Sequence, residues 1–285
     1  MAKRVLSLIL VALAVCLCAA SAFAELTVER NEGEMYFPDE KNWVYHFTYA
    51  YPKIVGDDYT AALINDTYQM ALDEMTRLVL PMFANAPDMR FDGKNEVSND
   101  FLVTCNNDRL LSIVQLRSQE MGEETVYSLE PLTFDVSGMY AGETLTLRGV
   151  ILIQAGVDPE QLEDVRAEDY PEIAHIIGVR CTVDGTEYVK GGSSAAIADA
   201  LLPALYQRFL EDGDGIRDNL TLEDFEIEFS ASRDFSADEE GNLVFYFPPM
   251  LMRDYAEGQQ LLSVTLSPAE IEAILADAPF ALEEQ

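Results

Sequence analysis

The sequence predicts an α+β fold in which antiparallel strands pack against a few helices, and three observations predict it. Trp43 to Tyr51 places an aromatic at every second position, and Ile64 to Val79 repeats apolar residues at helical spacing. Ser267-Pro268-Ala269-Glu270 is a helix-start signature that follows an apolar run. With 49% hydrophobic and 10% aromatic residues among 285, the chain can bury a real core, which excludes general disorder.

Residues 1–24 have the pattern of a secretory signal. Lys3 and Arg4 form its basic start, Val5 to Leu17 its apolar run, and Ala22-Phe23-Ala24 a small-x-small site, so cleavage before Glu25 is expected. An uncleaved anchor and lipid attachment at Cys16 or Cys18 are the other readings of this stretch. Loss of Lys3 and Arg4 moves the formal charge from −33 to −35. No later stretch approaches the ~18 unbroken apolar residues of a membrane span, so no transmembrane segment is expected after cleavage.

Trp43, Tyr45, Phe47, Tyr49 and Tyr51 fall on one face of a strand, because successive side chains alternate. That face is either a stacking platform for a sugar or peptide, or the core side of a sheet covered by a helix. His46 falls on the opposite, wetter face. A helix is expected from about Asp58 to Leu80, capped by Asp57 or Asp58 and stopped by Pro81. Ile64, Tyr68, Leu72, Met75 and Val79 form its apolar stripe, which suits the aromatic strand face.

Phe101–Cys105 and Leu110–Leu116 flank Asn106-Asn107-Asp108, the pattern of a hairpin. Val126–Val136 and Leu145–Ile153 flank Ser137-Gly138 and are expected to continue the antiparallel pattern as strands. Pro159 to Arg180 is acidic, with short helical pieces broken at Pro171 and Gly178. The loop Lys190–Ser194 leads into a helix from Ala195 to about Leu210, with Ile197, Leu201, Leu205 and Phe209 on one stripe. Phe225–Phe229 alternates as a half-buried strand, and Asn242–Phe247 and Leu261–Leu266 are two more strands. The capping box at Ser267 then opens a last short helix that buries Ile271, Ile274 and Leu275.

The charge balance narrows the function. With 51 Asp and Glu against 18 Lys and Arg, nucleic acid and anionic membrane surfaces are poor partners, since phosphates need clustered basic side chains. Two histidines exclude a three-His zinc centre. Glu211-Asp212-Gly213-Asp214-Gly215 has the flavour of a calcium loop, but aligning Gly215 with the loop glycine puts Leu210 and Thr221 at ligand positions. No metal site or cofactor is therefore expected. After cleavage Cys105 and Cys181 are the remaining cysteines, and in an exported chain they either form one disulfide or stand as two separate core residues.

One run of segments resembles a known family. Asn242-Leu243-Val244-Phe245-Tyr246-Phe247-Pro248-Pro249, then Tyr255-Ala256-Glu257-Gly258, then Val264-Thr265-Leu266-Ser267 are similar to the closing signature of the bacterial extracytoplasmic RsiV-like domain, the sensor domain of the anti-sigma-V factor. Tyr51-Pro52-Lys53-Ile54 with the helix after it resembles the companion N-terminal module found beside polysaccharide deacetylases. Leu110–Ile113, Phe134-Asp135 and Gly142–Leu147 fit the middle of that pattern. The resemblance implies a module at 25–120 and a second, closely packed one at 121–285, in an α+β binding domain that in the anti-sigma branch recognises lysozyme. Where the family carries a Gly-Gly-Ala-His turn, this chain has Glu120-Met121-Gly122-Glu123-Glu124.

Two function classes follow. The first is an exported, non-enzymatic binding or sensor-type domain for a cationic protein such as lysozyme, a basic peptide, or a cell-envelope ligand such as a wall glycan. The second is a hydrolase of cell-wall glycans working through paired carboxylates, for which the sequence singles out no pair among its 51 acids. No GxSxG, HExxH or phosphate-cradling glycine loop is present.

Overall fold

The structure is a computed structural model that describes residues 25–86, 93–121, 124–138, 140–162, 165, 169–177, 179–183, 186–190, 192–212, 216–248, 251, 263–277 and 282–284. Residues 1–24, where a signal is expected, and the end of the acidic run at 213–215 lie outside them. The fold is α+β, as the hydrophobic periodicities require.

A five-stranded sheet, in spatial order β1 to β5, forms from β1 (Val28–Phe37), β2 (Tyr45–Ile54), β3 (Asn95–Asn106), β4 (Leu110–Met121) and β5 (Glu124–Asp135). Three of its junctions are antiparallel; the β2–β3 junction is parallel. A parallel pair needs a long crossover, and the helical segment after β2 supplies it. Asp58 caps that segment, its side chain accepting from the Ala61 amide at 2.8 Å, and α1 runs Tyr59–Asp73. The chain does not stop at Pro81. A π-helical stretch, Glu74–Val79, leads into α2 (Leu80–Asn85), with Pro81 in its first turn. The amide of Leu80 reaches back to the Met75 carbonyl, and this wider winding carries the helix past a residue that has no N–H to give.

The stripe of α1 closes one face of the sheet. Ile64, Tyr68, Leu72 and Met75 pack with Tyr45, Phe47, Tyr51, Val97, Leu111, Ile113 and Phe134 in one core. Between β3 and β4 the hairpin turns where expected: Asn107 accepts through Oδ1 from the amides of Arg109 and Leu110, each at 2.9 Å. A bulge between Val103 and Cys105 then sends Cys105 to the second core, on the sheet's other face.

Two segments that alternate or run apolar fold as helices instead of strands. Leu147–Gln154 is α3, capped by Thr146, and buries Leu147, Val150, Ile151, Leu152 and Ile153; an apolar run this short does not distinguish a buried strand from a helix buried on all sides. Farther along come α4 (Ala174–Ile177), the hairpin β6 (Val179–Val183) and β7 (Thr186–Lys190), and α5 (Ser194–Asp212). Ile197, Leu201, Leu205 and Phe209 line the buried stripe of α5. Residues 222–228 form α6 (Leu222–Glu228), because Thr221 and Asp224 make a reciprocal capping box. Phe225 and Phe229, four apart, are buried, whereas Ile227 is 74% exposed.

A three-stranded antiparallel sheet joins β8 (Phe235–Ala237), β9 (Leu243–Tyr246) and β10 (Ser263–Leu266). The capping box of α7 (Pro268–Asp277) closes as the sequence predicts: Glu270 accepts from the Ser267 amide at 2.8 Å and Ser267 Oγ from the Glu270 amide at 3.4 Å. β11 (Leu282–Glu284) pairs with β7. The small sheet docks by its β8 edge on the large one: Thr104 Oγ1 donates to the Ala237 carbonyl at 2.8 Å, and the Ala237 amide donates to Ser112 Oγ at 3.1 Å. Aromatic rings of Phe209, Phe225, Phe229 and Phe247 fill the core above it, with centroids 4.8–5.4 Å apart.

Candidate functional site: the open acidic face of the large sheet

The small sheet covers the β4–β5 side of the face opposite α1 and reaches the end of β3 at Thr104. Over β1, β2 and the first half of β3 that face stays open among the described residues, and the register assigns its side chains. Glu34 pairs with Thr48, Thr48 with Ser98 and Ser98 with Ser118, giving one row across four strands. Tyr36, His46 and Glu96 form the next row. Glu32 and Arg30 lie on the same face toward the start of β1.

A groove of about 450 Å³ runs along these rows, lined by Arg30, Glu32, Glu34, Thr48, Ser98 and Asp100 among others. Its acids outnumber its bases. Arg30 donates to Asp100 at 2.8 Å and stands 3.6 Å from Glu32, and all three remain well exposed, so the pairs are screened and contribute little to stability. Ser98 and Ser118 share a hydrogen bond of 2.7 Å, which leaves hydroxyls along the floor.

At one end of the face sits an aromatic and acidic cluster. His46 puts Nδ1 3.0 Å from Glu96 and Nε2 3.1 Å from Glu34, while the Tyr36 ring stacks on it at 4.3 Å. Trp43 lies 5.8 Å from His46, and Lys94 Nζ sits 4.1 Å over the Trp43 ring, a cation–π contact. Desolvation, with the charges of Glu34, Glu40 and Glu96, pushes the Tyr36 hydroxyl above its usual titration range. The same negative field that disfavours a phenolate there favours a cationic visitor.

The five aromatics singled out from the sequence divide in space. Tyr45, Phe47 and Tyr51 are 2%, 0% and 1% exposed under α1 and form core. Tyr49 is half-buried, its ring lying over Gly33 of β1, where a Cβ would come within 2.6 Å of the tyrosine oxygen. Trp43 precedes β2 and joins the His46 cluster instead of the stripe. Sequence reasoning assigned His46 to the other face but could not bring it to Glu34 and Glu96, which lie 12 and 50 residues away. Cys105 is a free, buried thiol; it accepts from Asn107 Nδ2 at 3.2 Å, and burial pushes its pKa up to about 11. Cys181 lies in β6, and its side chain falls outside the described residues. No group of metal-ligating side chains is found among the described residues.

A glycan hydrolase needs two carboxylates flanking a bond with a sugar ring on either side. Among the described residues Asp135 is the buried carboxylate, and it shares a cavity of about 270 Å³ with Glu143. That volume lies below the roughly 300–1,000 Å³ of drug-sized ligand pockets.

No protein-family model matches the sequence, and no curated protein matches it. Two solved structures are similar in chain path. A member of the DUF3298 family from Bacteroides fragilis is 12% identical, with a TM-score of 0.40, over 87% of this chain and 98% of that one. A DUF3298 family protein from Pseudomonas aeruginosa is 14% identical, with a TM-score of 0.32, over 58% of this chain and 82% of that one.

Proposed function

We propose that this chain is an exported, non-enzymatic binding domain for a cationic protein or peptide, of which lysozyme is the type, and that the open face over β1–β3 receives it. The carrying observation is the groove itself, an unlayered sheet surface on which Glu32, Glu34 and Asp100 outnumber Arg30. The formal charge of −33 steers cations toward the molecule from a distance, and the groove gives them a place to dock. The RsiV-like pattern of the sequence supports the same reading, as does the signal-like stretch 1–24 for export. None of the described helices is long and apolar enough to cross a membrane.

Titration calorimetry with lysozyme is the test. Binding at about 0.01 M salt should fade by about 1 M, as the screening length shrinks from about 30 Å to about 3 Å. Replacing Glu32→Gln, Glu34→Gln and Asp100→Asn together should weaken it and flatten its salt dependence. No heat at low salt, or binding indifferent to those replacements, would reject the face as the docking site.

A further inference from the structure

β1 is the outermost strand of the large sheet, with β2 on one side and no described strand on the other. It pairs with β2 from Val28 to Phe37 without a register shift. Three contacts fix which of its backbone groups that pairing uses. The Val55 amide donates to the Thr27 carbonyl at 2.9 Å. Pro52, opposite Arg30, has no N–H to give. The carbonyl of Ala50, opposite Glu32, accepts instead from Asn99 Nδ2 at 3.2 Å, on the β3 side. Bonded and non-bonded pairs alternate along an antiparallel ladder, so the odd-numbered residues of β1 bond to β2. Val28, Arg30, Glu32, Glu34 and Tyr36 therefore turn their N–H and C=O groups outward.

Among the described residues nothing hydrogen-bonds to those outward groups, although α2 lies beside the strand. The opposite edge of the sheet is partly taken. There the Leu145 amide donates to the Thr133 carbonyl at 2.7 Å, and the Asp135 amide to the Glu143 carbonyl at 3.0 Å. An open edge is commonly guarded by a bulge, a proline or a lysine, and β1 has none of these. Its charges are mostly acidic: Glu29, Glu32 and Glu34 stand against Arg30, which Asp100 already engages at 2.8 Å. A second copy pairing edge to edge would set these glutamates among their equals, which destabilises a strand pair. A basic strand meets the reverse.

We propose that the free edge of β1 takes a basic, extended peptide segment as a sixth strand of the large sheet. This rests on the reading of the acidic face as a receptor for cations and gives the partner a form. The added backbone pairs with the outward groups of β1. Every second side chain of it falls beside Glu32 and Glu34, with Cβ atoms roughly 5 Å apart. The side chains between them fall toward Met35, which is 37% exposed, and suit apolar residues. Main-chain bonds supply the affinity, and the acidic row selects the charge.

Calorimetry on the full chain tests it with a capped peptide of about eight residues that alternates Lys with Val or Thr. The peptide should bind, and its counterpart with Glu for Lys should not. N-methyl groups on the Lys amides, or on the amides between them, give two further probes. One set should weaken binding about tenfold or more and the other should be tolerated, because a strand turns only every second N–H to a given neighbour. Equal effects of the two sets, equal binding of the Glu peptide, or no heat from the Lys peptide overturns the proposal. In the chain, Glu32→Pro and Glu32→Gln remove the same charge, but only proline removes an outward N–H. E32P should hold the peptide about tenfold more weakly than E32Q, and equal affinity also overturns the proposal. The methylated peptides carry the test should E32P fail to fold. Lysozyme separates the two readings: if it still binds in a salt-dependent way when the peptide fails, strand addition is rejected and the acidic face stands. Failure of both rejects the face as well.

Discussion

Single residues carry two opposite pH signatures. Glu270 is held down to about 2 from 4.5, chiefly by the Ser267 amide, then by the Ser267 hydroxyl and by Arg208. A carboxylate with a depressed folded pKa lends stability that is fully present above 4.5 and lost as pH falls toward 2. E270Q should therefore flatten the loss of stability across that window, read by urea unfolding at several pH values. S267A should cost about 1 kcal/mol at neutral pH through the lost cap. Asp135 runs the other way: its raised pKa makes the folded chain hold a proton longer, so its contribution falls as pH rises above 3.8. The capping box was legible in four consecutive letters because both of its hydrogen bonds are local. The burial of Asp135 beside Tyr140, Arg148 and Leu162 was not, because those residues come together only through the fold.

At the scale of elements, α6 offers the sharpest test. Phe225, Ile227 and Phe229 read as a strand by alternation, yet the capping box of Thr221 and Asp224 makes that stretch helical and turns Ile227 outward. I227D should then change stability by no more than about 0.5 kcal/mol, whereas F225A should cost about 3–5 kcal/mol. Comparable losses in both, measured by denaturant unfolding, would restore the strand. The same competition explains α3, where local caps and packing on α5 decide what a short, mostly apolar run leaves open. Asp58 as cap and the Ile64–Met75 stripe were legible because helix periodicity is a property of near neighbours. Passage beyond Pro81 was not, since a π-helical turn leaves no mark of its own on the sequence.

At the scale of the whole molecule, the pairing of β4 with β5 spans the position where two modules were expected to meet. β4 ends at Met121 and β5 begins at Glu124, so a division at 120/121 falls between two strands paired along their full length. Phe134 of β5 belongs to the same core as Phe47 and Tyr68. A fragment of residues 25–120 should therefore fail to fold, giving little secondary structure by circular dichroism and aggregating through the bared β4 edge. A cooperative, soluble fragment would instead support a boundary there. Thr104 and Ser112 tie the second sheet to the first through Ala237, at the end of β3 and on β4, and the face over β1, β2 and the start of β3 stays uncovered among the described residues.

The sequence by itself determined what neighbours along the chain decide: an α+β pattern, the stripe of α1, two helix caps, an anionic surface and a signal-like start. Only the tertiary structure decided which face of the aromatic strand went dark and which stayed open. It also decided that His46 meets Glu34 and Glu96, and that Asp135 and Arg148 line one cavity. The physical reason is that periodicity and capping are settled within a few residues, whereas burial and charge pairing depend on which distant segments come to lie against each other.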